Sequence, residues 1–169
     1  MNAKNIAKGG LFTAAGFIFL YLSSFMPTNK LAFLILSSVV IPITLLTCDL
    51  KTSVLVYAAT SLLSLLIPNK IICIVYIFLF GIYGIVKYYA EKLDNRVIEF
   101  IVKYAFFNIS LGICYFIYSS LFMELTNSKL PIYILIAGAE VIFGVYDFIL
   151  TGFISYFMNK FSKFTKSNR

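Results

Sequence analysis

Apolar residues run along this chain in six long stretches, about 7–26, 31–48, 52–68, 71–89, 100–123 and 131–157, divided by short polar breaks. Within each stretch the apolar positions are continuous rather than alternating. Period-two alternation over about 10 residues would mark a membrane-barrel strand. An unbroken run of about 20 marks a helix across the hydrocarbon, where a helix satisfies its own backbone polar groups. The pattern predicts an all-α integral membrane protein, a six-transmembrane-helix bundle forming a single membrane domain over residues 1–169. The breaks carry turn chemistry: Met26-Pro27-Thr28-Asn29-Lys30, Cys48-Asp49-Leu50-Lys51, Ile67-Pro68-Asn69-Lys70 and Glu91-Lys92-Leu93-Asp94-Asn95-Arg96. The last break runs from Glu124 to Leu130, ahead of Pro131, a residue suited to a first helical turn.

Composition supports this pattern. The 169 residues are 61% hydrophobic and 12% charged, against about 25% charged residues in a soluble domain. Six spans fill the length, so no separate soluble catalytic domain is expected. The first apolar stretch, from Gly9 to about Met26, is too long for a signal-peptide core and has no small-x-small cleavage pattern after it, so it is expected to stay as a span. The formal charge of +7 sits in the breaks and the tail, as topology signals do. The expected partner is therefore the lipid bilayer, and no nucleic acid is expected. Lys4, Lys8, Lys51, Lys87, Lys92, Arg96, Lys103, Lys160, Lys163, Lys166 and Arg169 fall on one side, against Lys30, Lys70 and Lys129 on the other. That asymmetry predicts a multi-pass protein of the cell (plasma) membrane with N- and C-termini cytoplasmic.

Little of the chain carries recognisable chemistry. There is no histidine, which removes the usual general base and the commonest metal ligand. Cys48, Cys73 and Cys114 lie far apart in apolar runs with no CxxC spacing, and read as packing residues. HExxH, GxSxG and Walker patterns are absent. The chain is expected to be no enzyme and to hold no metal or cofactor.

Two carboxylates stand inside the last apolar run. Glu140 and Asp147 are seven residues apart, on one helix face and about 10 Å apart along the axis. Counted from Pro131, Glu140 falls roughly 14 Å deep and Asp147 roughly 24 Å deep. Lys87 and Asn108 should lie level with Asp147, so Asp147, Asn108 and Lys87 form an expected set of structural polar residues. Glu140 has no such partner in the sequence. It is either a neutral acid bonded to a hydroxyl or a ligand or proton site, the default for an ionisable group at that depth. Ala3, Ala7, Gly10 and Ala14 make a stripe of small residues that lets another helix come close. The stripe suits contact within the bundle or docking on another protein.

Six short spans, cytoplasmic termini, a basic tail and the Ala3/Ala7/Gly10/Ala14 stripe resemble the substrate-binding S components of energy-coupling factor (ECF) transporters. Members of that family dock their first span on a coupling subunit through small residues. The resemblance implies capture of a vitamin or related micronutrient, energised by two ATPase subunits through a coupling transmembrane subunit. It makes Glu140 the pocket carboxylate, with Tyr133, Asn69 and Asn29 as substrate-binding neighbours. The chain departs from the family in having no tryptophan to stack on a vitamin and only short outer turns. The alternative is a small structural or accessory multi-pass membrane protein without a small-molecule ligand.

Overall fold

The computed structural model describes residues 2–26, 28–93, 95–122 and 132–167. All regular structure among them is helical. The helices are α1 (Ala3–Phe25), α2 (Lys30–Thr47), α3 (Leu50–Ser64), α4 (Lys70–Ala90), α5 (Arg96–Phe122) and α6 (Ile132–Ser167). Five of them, all but α3, are long and apolar enough to cross a membrane. The chain forms two compact units, Met1–Thr126 and Asn127–Arg169. The first holds α1 to α5, and α6 lies in the second.

The third helix is shorter than its apolar stretch. Residues 52–68 were expected to be helical, but α3 stops at Ser64. The amides of Leu65, Leu66 and Ile67 then bond the carbonyls of Leu62, Leu63 and Ser64 in tight three-residue turns. Pro68 follows, and a residue before proline is pushed out of the helical region. With 15 residues, α3 is about 22 Å long, short of a hydrocarbon core of about 30 Å.

Asp49 starts α3. Its carboxylate accepts hydrogen bonds from the Thr52 amide at 2.8 Å and from the Thr52 hydroxyl, occupying one of the amides a helix start leaves open. Asn69 does the same for α4, accepting from the Ile71 amide at 3.2 Å.

Within the first unit, α1 packs on α2 and α3, and α2 packs on α4, which also carries α5. A cluster of Val40, Ile41 and Val56 forms an apolar core, ringed by Phe12, Phe19, Tyr57 and Ile85. Small residues set the helix spacing. A Cβ on Gly9 would sit 3.0 Å from Thr52 Cγ2, and one on Gly16 would sit 3.1 Å from Thr60 Cγ2. The helix α2 continues through Pro42, although proline has no amide for the carbonyl one turn back. Gly84 of α4 lies beside that ring, where a Cβ would be 2.8 Å from Pro42 Cδ.

The middle of α4 is not α-helical. Between Lys70–Val75 and Ile82–Ala90 lies a six-residue π-helical segment, Tyr76–Gly81. Such segments carry one extra residue per turn and occur mostly as short bulges, often at functional sites.

Candidate functional site

Among the described residues of the first unit, three polar clusters join its helices. The central one joins four helices. Ser37 of α2 donates to the Gly16 carbonyl of α1 at 2.9 Å. The Thr60 hydroxyl of α3 lies 2.9 Å from the Tyr76 hydroxyl of α4. Ser37, Thr60 and Tyr76 are fully buried. A polar group in an apolar interior is costly unless bonded, and here each hydroxyl has a partner. Thr60 also donates to Val56 of its own helix, at 2.8 Å, and Thr44 does the same to Val40.

The second cluster lies where α1 and α3 begin. Asn5 donates to Asp49 at 3.4 Å. The hydrogen bonds from the Thr52 hydroxyl and amide, with a smaller share from Asn5, hold the Asp49 carboxyl below the usual carboxylate range. Ser53 closes the corner by donating to the Asp49 carbonyl at 3.1 Å.

The third cluster is ionic and joins the end of α4 to the start of α5. Lys87, 1% exposed, pairs with Glu91 at 2.8 Å. Lys103 approaches the same Glu91 oxygen at 3.5 Å and pairs with Glu99 at 2.5 Å. Two buried ammonium groups therefore meet at one carboxylate oxygen. Burying ammonium groups requires such pairing, and removing a partner is far more damaging than never having had the pair. Next to it, Lys92 stands 4.3 Å over the Tyr88 ring.

The residues singled out in the sequence fall as follows. Asn29 precedes α2 and is exposed, with no side-chain bond to the helix start. Asn69 is the cap of α4 described above. Both belong to the first unit, at the ends where α2 and α4 begin. Tyr133, Glu140 and Asp147 all lie in α6, in the second unit. The Asp147 carbonyl accepts from Thr151 at 2.8 Å. Asn108 is exposed on α5 and donates to the Tyr104 carbonyl one turn back at 2.9 Å. Lys87 enters the ionic cluster through Glu91, in the turn that follows α4.

Ala3, Ala7, Gly10 and Ala14 are all exposed. A Cβ on Gly10 would meet nothing within 4 Å. The small residues that α1 uses inside the bundle are others, Gly9, Gly16 and Ser23, all buried. Their seven-residue spacing is a signal in the sequence that could have found them.

Among the described residues no three His, Cys, Asp or Glu side chains are grouped to hold a metal ion. Cys73 is buried, with its thiol directed at the Ser64 carbonyl at 2.6 Å. No family model matches the chain, and no curated protein or solved structure is detectably similar to it.

Proposed function

We propose that this chain is the membrane-embedded, substrate-binding subunit of an uptake system for a vitamin or related micronutrient, of the ECF S-component kind. In this reading it crosses the plasma membrane six times, α3 being the short span, with both termini in the cytoplasm. Partner ATPase subunits acting through a coupling subunit supply the energy, and the chain itself is no enzyme. The observation that carries the reading is the outward face of α1. Ala3, Ala7, Gly10 and Ala14 leave a shallow, side-chain-poor strip along a helix whose own packing uses other residues. Lipid has no need of such a strip, whereas a partner helix seated close against it does. Glu140 is the proposed substrate carboxylate.

The test is purification of the tagged chain from its own host, followed by native mass spectrometry. The expected species carries a coupling subunit, two ATPase subunits and a bound small molecule. Gly10→Leu should remove the protein partners and leave the chain folded, and Glu140→Gln should remove the small molecule. Recovery of the chain alone, with no bound molecule, would sink the proposal. The second reading, an accessory membrane protein without a ligand, draws on the first unit's central polar groups, which are satisfied by one another. It predicts that recovery of the chain alone.

A further inference from the structure

The π-helical segment Tyr76–Gly81 is held from outside α4. The Tyr57 hydroxyl of α3 donates to the Ile77 carbonyl inside it at 2.9 Å. The Tyr57 ring lies against the segment's last residue, so that a Cβ on Gly81 would be 2.8 Å from Tyr57 Cε2. Tyr76, its first residue, is bonded to Thr60 of the same α3. The segment Tyr76-Ile77-Phe78-Leu79-Phe80-Gly81 contains no proline to break the regular helix. Two of its residues are thus bonded to α3, while α2 and α5 pack against it as well.

An extra residue in a helix is movable. If it passes toward Ala90, every residue it passes rotates by about 100° and shifts by about 1.5 Å. The register then dictates the exchange. Tyr83 takes the place of Gly84 against Pro42, and Val86 takes the place of Lys87. The first exchange does not fit unless α2 yields. Pro42 is where it can, because the helix lacks an amide there. The second exchange carries Lys87 out of its buried seat. Lys103 remains, since Glu99 on its own helix holds it at 2.5 Å.

We propose that α4 is a two-position register element: Tyr57 pins its π segment, and release of that pin rotates Ile82–Ala90, withdraws Lys87 from the ionic cluster and bends α2 at Pro42. The proposal concerns the motion of the first unit and does not rest on the uptake reading.

The experiment is acetylation of lysines by acetic anhydride in the full chain, held in phosphatidylcholine nanodiscs, with site-by-site rates from mass spectrometry. Lys51, exposed, is the reference. In the unaltered protein Lys87 and Lys103 should both react slowly. Tyr57→Phe keeps the ring and removes the hydrogen bond. It should speed reaction at Lys87 about five- to tenfold, the population change expected from one lost buried hydrogen bond, with Lys103 unchanged. Deleting Phe78 in that variant removes the extra residue while keeping both halves of α4 in phase, and should return Lys87 to its slow rate. The proposal is overturned if Tyr57→Phe leaves Lys87 unchanged, if Lys87 and Lys103 accelerate together, or if the deletion fails to restore protection at Lys87.

Discussion

The first helix has two faces lined by small residues, and they do opposite things. On one, Gly9, Gly16 and Ser23 recur every seven residues and are buried against α2 and α3. On the other, Ala3, Ala7, Gly10 and Ala14 recur every three or four and are exposed. What separates them is the company they keep. The buried glycines face hydroxyl-bearing residues, Thr52, Ser37 and Thr60. In those places a short side chain lets the backbone come close enough for Ser37 to reach the Gly16 carbonyl. Small residues alone permit close approach; a polar neighbour within reach makes it specific.

That contrast can be broken most forcefully at Gly16. Gly16→Leu must fit a branched side chain where even a Cβ would lie 3.1 Å from Thr60. It should cost about 3 kcal/mol or more, seen as loss of the monodisperse, folded species in detergent. Ser37→Ala removes one donor from the Gly16 carbonyl and should cost about 0.5–1.5 kcal/mol, measured as a lowered thermal unfolding midpoint.

Acid should act next, at the corner where Asn5 meets Asp49. The Asp49 carboxyl titrates below its ordinary range in the folded chain. Its contribution is therefore fully present above about pH 4 and is lost as pH falls through the lowered value. Asp49→Asn should flatten the acid limb of the unfolding profile below about pH 4. An unaltered profile would mean that the corner does not matter to stability. The smallest effect belongs to the exposed face. Gly10→Leu should change the unfolding midpoint by no more than about 0.5 kcal/mol would. A large loss there would show that this face is also structural.

The helices were legible in the sequence because lipid imposes one strong rule, a long apolar run for each span. Expected boundaries at 7–26 and 31–48 meet observed helices Ala3–Phe25 and Lys30–Thr47. The cost of the rule appears at α3. Leu65, Leu66 and Ile67 are as apolar as any helical residue, so hydropathy extended the helix through them, while the backbone had already tightened ahead of Pro68.

The π segment was illegible for a different reason. Its hydrogen-bond partner outside the helix is a tyrosine twenty residues earlier in the chain, and no local pattern announces that contact. Of the candidate site, the last apolar run put Glu140 and Asp147 on one helix, as α6 has them. Hydropathy could not foresee Glu91 between the two lysines, because a glutamate at the edge of an apolar run looks like loop. The heptad of Gly9, Gly16 and Ser23 was visible all along, masked by the denser spacing beside it.

The third helix is built inside out. Its buried positions are Thr52, Ser53, Val56, Thr60 and Ser64, while Val54, Leu55 and Leu62 are exposed. Such a helix cannot be placed well on its own, since alone it would turn hydroxyls to hydrocarbon. Its seat is the hollows that Gly9 and Gly16 leave on α1, which Thr52 and Thr60 fill, so α3 depends on α1 for its place in the bundle.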